Sequence, residues 1–260
     1  MKLGVCTSID NLDTAARLGF DYIECSLAAV AQMPRDAFDA LAARAGDFPI
    51  PVLKCNCFLP AEMKPVGPDV REAALREYLE TALSRARRLG VELAVFGSGP
   101  ARRVPEGWSF ARAWEQLADF LRLAADTADD YGITVALEPL RRRECNLLNL
   151  VSEATLLCGL VNHPRIAALG DTFHMRSVHE PWDALAHAGE TLAHVHISHT
   201  LPDLSGRVFC RADDGEDYAE IFRVLRGMGY RGDVSVEASC RDLEADGAAA
   251  LACLGPLARA

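Results

Sequence analysis

Basic residues are scarce in this sequence of 260 residues. It contains 27 lysines and arginines against 37 aspartates and glutamates, which gives a formal charge of −10. Because nucleic-acid phosphates are bound by basic surfaces, this balance disfavours nucleic acid as a main partner. Half of the residues are hydrophobic and a quarter are charged, which is typical of a globular protein and argues against a disordered chain.

Long hydrophobic runs are also missing. No apolar stretch approaches the roughly 18 residues that a membrane-spanning helix needs, so we expect no membrane association. The first residues, Met1 to Val5, have the pattern of a β-strand rather than that of a signal peptide. The nine cysteines are odd in number and scattered, which favours free thiols in a reducing compartment over a disulfide framework. We therefore expect a cytoplasmic protein.

Short apolar segments alternate with longer amphipathic segments along the whole sequence. Near-continuous apolar runs are typical of parallel strands that are covered on both faces. The predicted strands are Leu3–Thr7, Tyr22–Ser26, Val52–Cys57, Leu93–Phe96, Thr134–Glu138, Ala167–Asp171, Ala193–Ile197 and Val234–Glu237. Several of the predicted helices end at a glycine that leads into the next strand, namely Gly19, Gly90, Gly132 and Gly229.

The uninterrupted series of βα units predicts an α/β protein. We expect a single (β/α)8 TIM barrel that covers residues 1–260 as one domain. A doubly wound sheet stays open as an alternative. The turn after Leu3–Thr7, however, lacks the glycine fingerprint that a dinucleotide site in such a sheet would need.

Polar residues stand at the ends of the last four predicted strands. In a (β/α)8 barrel the C-terminal strand ends converge on one mouth, where catalysis takes place. Three carboxylates and one imidazole there would repel one another without a cation, and this donor set favours Mn²⁺, Mg²⁺ or Co²⁺ over a thiolate-type zinc site. The alternative is that each residue caps a loop or forms its own salt bridge. The sequence thus predicts one divalent metal ion bound by Glu138, Asp171, His196 and Glu237.

These residues lie in motifs that carry a family resemblance. The motifs are Glu138-Pro139-Leu140 followed by Glu144, Asp171-Thr172-Phe173-His174, His194-Val195-His196, and Val236-Glu237. The sequence resembles the xylose isomerase-like TIM barrels, the sugar-phosphate isomerase/epimerase group, and within it the D-tagatose/D-psicose 3-epimerase type. The resemblance implies that the four residues above bind the metal and that Glu138 and Glu237 also act as acid and base. It also implies that Glu144 and His174 contact the sugar.

Some positions depart from the family pattern or leave alternatives open. His196 is preferred over His194 because the family's ligand is the second histidine of the motif, and His194 is expected at the surface or against a helix. The family commonly has an arginine about six residues after this histidine, where Pro202 stands here. Arg207 is favoured slightly over Arg211 as its substitute in substrate binding.

Three further positions carry expectations of their own. Glu24 is expected as a wall or salt-bridge residue. Arg141 stands where the family usually has an asparagine, which indicates a different or more anionic substrate. The loop 97–103 is either an anion-binding rim or a flexible loop.

The resemblance implies a metal-dependent sugar isomerase or epimerase that acts on a ketose or related polyhydroxy carbonyl compound. A metal would stabilise the enediolate formed when a proton next to the carbonyl is removed, and two carboxylates would remove and return that proton. The alternative is a dehydratase of the same barrel group acting on a keto-cyclitol or related acid, since it shares the proton removal. We expect a small sugar-like molecule as the partner, and barrels of this type often form homo-oligomers.

Two other functions fit the sequence less well. Endonuclease IV-type repair uses the same barrel with several zinc ions and with histidines from early strands. Here all seven histidines, beginning with His163, lie in the last hundred residues. A sugar-binding barrel without catalysis should lack a complete acid–base pair, whereas Glu138 and Glu237 are both present.

Overall fold

A computed structural model describes residues 1–260 of the chain. Eight parallel strands close into a barrel, in which the first strand pairs with both the second and the eighth. The prediction of a (β/α)8 TIM barrel is confirmed, and the ends of the predicted strands agree with the observed ones to within one residue. The strands are β1 (Leu3–Cys6), β2 (Tyr22–Ser26), β3 (Val52–Asn56), β4 (Leu93–Phe96), β5 (Thr134–Leu137), β6 (Ile166–Asp171), β7 (Leu192–Ile197) and β8 (Asp233–Val236).

Helices surround the barrel and fill the connections between its strands. The α-helices are α1 (Leu12–Leu18), α2 (Leu27–Gln32), α3 (Arg35–Ala43), α4 (Glu72–Arg88), α5 (Gly99–Arg102), α6 (Phe110–Tyr131), α7 (Val151–Val161), α8 (Thr172–Ser177), α9 (Asp183–Ala188), α10 (Tyr218–Gly227) and α11 (Leu243–Arg259). Short 3-10 turns lie at Ile9–Asn11, Ala45–Asp47 and Gly189–Thr191. None of the helices has the length and apolar character to cross a membrane.

Helix α6 shows how the sequence sets these elements. The Ser109 side chain accepts a hydrogen bond from the Arg112 N–H, which satisfies a free donor at the start of the helix. At the other end, Gly132 has φ 65° and its N–H bonds to the Ala128 carbonyl, because glycine adopts this left-handed conformation without a steric penalty. The other predicted junction glycines also have positive φ, which confirms Gly19, Gly90 and Gly229 as helix ends.

The interior of the barrel is apolar on one side and polar on the other. Strands β4 to β6 contribute a small apolar cluster of Leu93, Val95, Ala136 and Leu169. Strands β2, β3, β7 and β8 contribute buried polar side chains, namely Tyr22, Glu24, Lys54, His194 and Ser235. The Lys54 ammonium lies 2.9 Å from an Asp233 carboxylate oxygen and 5.0 Å from the centre of the Tyr22 ring. These contacts neutralise the buried lysine.

Tyr22 depends on a glycine in the neighbouring strand. A Cβ at Gly4 would overlap the Tyr22 ring, so only glycine leaves room for the tyrosine inside the barrel. The Tyr22 hydroxyl lies 2.8 Å from Ser235 Oγ, and Ser235 donates a hydrogen bond of 2.8 Å to Glu24. Gly4 thus provides the space for a hydrogen-bonded chain that ends at a buried carboxylate.

Gly4→Ala is therefore expected to destabilise the protein. The added methyl group has to displace a buried aromatic ring, and overpacking of this kind costs about 1–3 kcal/mol of the free energy of unfolding. Equilibrium urea denaturation measures the loss. The matched control is Gly46→Ala, because a Cβ at exposed Gly46 meets nothing within 4 Å. Equal unfolding midpoints for the two variants would contradict this account of the barrel interior.

Candidate functional site

The four predicted metal ligands meet at the C-terminal mouth of the barrel. Glu138 follows β5, Asp171 ends β6, His196 lies in β7 and Glu237 follows β8. Their ligand atoms all lie within 4.8 Å of one another. Alternation along each strand directs these four side chains to the inside of the barrel, which brings together residues that are distant in the sequence.

His196 is at the centre of this group. Its Nδ1 atom lies 2.8 Å from Glu237 Oε2, 3.3 Å from Glu138 Oε1 and 3.7 Å from Asp171 Oδ2. The ring is completely buried. A single imidazole nitrogen therefore faces all three carboxylates of the site.

Asp171 also begins a helix. Its Oδ1 atom accepts a hydrogen bond of 3.0 Å from the backbone N–H of His174, so the carboxylate caps helix α8. The other oxygen faces the site and lies 2.5 Å from an Arg207 nitrogen. The cap fixes the orientation of the carboxylate and, with it, the position of His174 one turn later.

Arg207 reaches the site through a hairpin that the sequence did not predict. The short strands His199–Thr200 and Arg207–Val208 pair antiparallel after β7 and return the chain to the mouth. The guanidinium contacts Asp171, and another of its nitrogens lies 3.0 Å from Glu237 Oε2. Arg211, the alternative candidate, points to solvent and lies 3.5 Å from Asp213. Of the two arginines, Arg207 is the one in the site.

His174 and Glu144 lie beside the cluster. His174 Nδ1 accepts a hydrogen bond of 3.2 Å from the Arg141 N–H. Its Nε2 lies 3.9 Å from Glu138 Oε1 and 4.0 Å from Glu144 Oε2. The Arg141 guanidinium bonds to Glu144 at 2.6 Å and to the Leu204 carbonyl at 2.6 Å. Arg141 is thus occupied within the protein, which argues against the more anionic substrate expected from its sequence.

Burial and neighbouring charges shift the acidities of the site. Burial and the nearby Glu237 carboxylate raise the pKa of Glu138. Burial acts in the same direction on Glu237, but Arg207 and His196 outweigh it and hold the pKa of Glu237 below its ordinary value. Burial alone would lower the pKa of His196, yet Glu24 and Glu237 raise it well above its ordinary value. The carboxylates therefore attract positive charge to this point.

The donors present fit a divalent cation. They are three carboxylates and one imidazole nitrogen, the oxygen-rich set that Mg²⁺ and Mn²⁺ prefer and that Co²⁺ also accepts. Glu237 Oε2 is buried and makes no hydrogen bond, although His196 Nδ1 lies 2.8 Å and an Arg207 nitrogen 3.0 Å from it. A buried acceptor without a donor is expected where an ion completes the site.

Glu24 is the residue of this site that sequence analysis undervalued. It is completely buried, and its Oε1 accepts a hydrogen bond of 2.9 Å from His196 Nε2. Its Oε2 lies 3.0 Å from His194 Nε2 and 2.8 Å from Ser235 Oγ. Burial raises the pKa of Glu24, but the two histidines outweigh this effect and hold it well below its ordinary value. The signal that could have identified Glu24 from the sequence is a charged residue inside the otherwise apolar run of β2.

The prediction for His194 is wrong. The side chain lies inside the barrel, completely buried, with its ring centre 5.0 Å from that of His196. The physical reason is that residues two positions apart on a strand point to the same side, so His194 and His196 both face inward. They differ in depth, and His194 supports Glu24 from below the cluster.

The loop after β4, residues 97–103, is not flexible and does not form an anion-binding rim. Arg102 is completely buried and donates to the carbonyls of Gly97, Glu138 and Leu147 at 2.6, 2.5 and 3.0 Å. A Cβ at Gly97 would meet the Glu138 carboxylate, so the glycine makes room for that side chain. Arg103 donates to the Arg143 carbonyl. The loop holds the backbone of Glu138 in place.

Comparison with known proteins agrees with this arrangement. A family model described as xylose isomerase-like TIM barrel matches residues 12–255. The chain belongs to this family. The match confirms the resemblance that the sequence motifs indicated, and it agrees with the barrel fold.

Several relatives of this barrel family are named sugar epimerases. The L-ribulose 3-epimerase of Methylomonas sp. (strain DH-1) is 31% identical over 160 residues, which are 60% of this chain and 51% of that protein. The D-psicose 3-epimerase of Agrobacterium fabrum (strain C58) is 26% identical over 235 residues, 87% of this chain and 77% of that protein. A solved L-ribulose 3-epimerase structure has a TM-score of 0.82 at 25% identity and covers 99% of this chain and 94% of its own. The chain spans about half or less of the length of the first curated relatives it matches.

Glu24→Gln is expected to weaken metal binding. The carboxylate orients His196 through Nε2, which leaves Nδ1 directed at the other ligands, and loss of such an outer partner typically costs 10–100-fold in metal affinity. Titration calorimetry with Mn²⁺ measures the change. Glu115→Gln, an exposed position on α6, is the control with the same change of charge. If both variants bound Mn²⁺ as tightly as the unmodified protein, this role of Glu24 would be excluded.

Proposed function

We propose that this protein is a metal-dependent epimerase or isomerase of a ketose or related polyhydroxy carbonyl compound. The observation that carries the proposal is the placement of Glu138 and Glu237, which come from β5 and β8 and approach the same nitrogen of His196. Relatives named L-ribulose and D-psicose 3-epimerases support it, and within the proposal a ketose 3-epimerase is the favoured form. The cytoplasmic location and a homo-oligomeric assembly stay predictions.

The metal would be held by Glu138, Asp171, His196 and Glu237, with Mn²⁺, Mg²⁺ or Co²⁺ as the candidates. When bound there, a divalent ion supplies positive charge that stabilises negative charge developing on the carbonyl and neighbouring hydroxyl oxygens of the substrate. The remaining steps belong to side chains of the protein.

Glu138 and Glu237 would move the proton. One carboxylate takes the proton from the carbon next to the carbonyl as the C–H bond breaks, and the other, as a carboxylic acid, returns a proton to the opposite face. In the reverse reaction the two roles exchange.

Three further residues would bind the sugar: Glu144, His174 and Arg207. Because His174 Nδ1 accepts the Arg141 N–H, the neutral ring carries its proton on Nε2. This buried Nε2 has no hydrogen-bond partner and lies within 4.0 Å of both Glu138 and Glu144. A hydroxyl or carbonyl oxygen of the substrate at this point would satisfy it, and the Arg207 guanidinium would face the same oxygens.

Solvent deuterium separates the candidate reactions. The Mn²⁺-loaded protein is incubated in D₂O with a panel of ketoses, including ribulose, psicose and tagatose. We expect deuterium at the epimerised carbon and no loss of water, and we expect chelation with EDTA to stop the exchange until metal is restored. Elimination of water, or turnover of a keto-cyclitol alone, would instead identify the dehydratase.

Glu138→Gln and Glu237→Gln are both expected to reduce kcat by at least about 10²-fold, since each removes a proton-transfer group whose contribution is typically 10²–10⁴-fold. The metal content of each purified variant is measured alongside its turnover, because both residues are also candidate ligands. Glu115→Gln is the control for the change of side chain. Near-normal turnover in either site variant with metal still bound would show that the acid–base assignment is wrong.

A further inference from the structure

A cavity opens beside the candidate site. Its volume is about 710 Å³, and it lies over the C-terminal ends of β1, β2 and β3. At its inner end it is lined by Glu237, Arg207 and Asn56. A substrate held between Glu138 and Glu237 would therefore extend into this cavity, whose volume is in the range of pockets that bind drug-sized ligands.

The outer end of the cavity is apolar. Helix α2 begins directly at the end of β2, where Ser26 Oγ caps the N–H of Ala29, so α2 and the following α3 stand close to the mouth. These helices and the segment after β1 form an apolar wall of the cavity, which we term the apolar subsite. It consists of Ile9, Val30, Met33, Ala37 and Leu41.

The charges around the cavity exclude an anionic group at its outer end. Arg207 is the only cationic residue that lines it, and its guanidinium is engaged with Asp171 and Glu237 at the inner end. Two exposed carboxylates stand next to members of the apolar subsite in the chain, Asp10 beside Ile9 and Asp36 beside Ala37. A phosphate there would meet these carboxylates, and no lysine or arginine other than Arg207 lines the cavity.

We propose that the apolar subsite binds a neutral hydrophobic substituent of the substrate, on the end of the sugar remote from the reacting carbons. The substrate class is then an unphosphorylated keto sugar that carries an alkyl or aryl group. This inference rests on the proposed function, because it takes the reacting carbons to lie between Glu138 and Glu237. It goes beyond that function in stating what the rest of the substrate is.

Three compounds with the same reacting carbons test the proposal: a ketohexose, its 6-phosphate and its 6-O-benzyl ether. We expect the benzyl ether to exceed the parent sugar in kcat/KM by about tenfold or more, since even one methylene group in a hydrophobic pocket is worth about tenfold or more. The phosphate should fall below the parent. A ratio of ether to parent at or below one, with the parent turned over, would overturn the subsite and leave the proposed function intact.

A matched pair of variants locates the effect. Ala37→Trp fills the apolar subsite and should bring the ether-to-parent ratio close to one. Ala40→Trp adds the same ring to an exposed position of α3 that does not line the cavity, and the ratio should stay high. A ratio that both variants lower equally would assign the preference to some other surface and contradict the proposal.

A binding experiment that needs no turnover provides a second test. It decides the proposal if none of the three sugars is turned over and the proposed function fails. The chain has five methionines, and Met33 is the one that lines the cavity. In protein labelled with ¹³C at the methionine methyl groups, benzyl alcohol should shift the Met33 signal saturably, and Ala37→Trp should abolish the shift. A Met33 signal that does not shift would overturn the proposal. A concentration-dependent dimer that Ala37→Trp dissociates would also overturn it, because a second copy of the chain would then cover this surface.

Discussion

The imidazole of His196 is bonded through both of its nitrogens to buried carboxylates, and the geometry of the site depends on this. Nε2 donates to Glu24 on the inner side, and Nδ1 meets Glu237 and Glu138 on the outer side. A buried negative charge is costly unless a positive group accompanies it. The contacts with Glu24 and Glu138 therefore fix the orientation of the ring, so that Nδ1 faces the carboxylates of the mouth.

The barrel divides its interior between two tasks. The side formed by β4 to β6 contains small apolar residues such as Val95 and Leu169 and supplies packing. The opposite side contains Lys54, Tyr22 and Ser235, whose hydrogen bonds lead towards Glu24. Because the apolar residues and the hydrogen-bonded polar residues occupy different sectors of the barrel interior, the site can contain several charged side chains while the apolar core stays continuous.

The strands and the four clustered residues were accessible from the sequence because both depend on local pattern. An apolar run followed by a carboxylate marks the end of a parallel strand, and the barrel topology then places such ends together. The same alternation places both His194 and His196 inside the barrel, so the expectation that His194 lies at the surface contradicted a rule that the sequence itself supplied. Arg141 and Arg102 are different, since each bonds to a backbone carbonyl whose position only the folded loops define.

Contacts between distant parts of the chain limited the remaining predictions. Glu24 and His196 are 172 positions apart, and only closure of the barrel between β1 and β8 brings them within 2.9 Å. Arg207 reaches the mouth because the hairpin of His199–Thr200 and Arg207–Val208 returns the chain there. Neither the pairing of that hairpin nor the closure is visible in a local window of sequence.

The guanidinium of Arg207 bridges Asp171 and Glu237 from a connection outside the barrel wall. It gives the acidic mouth a cation that is covalently part of the chain and arrives with folding. The mouth therefore contains a positive group whether or not the proposed metal is bound. Folding of the barrel would then not depend on the proposed metal, in contrast to small domains that are unfolded until their metal binds.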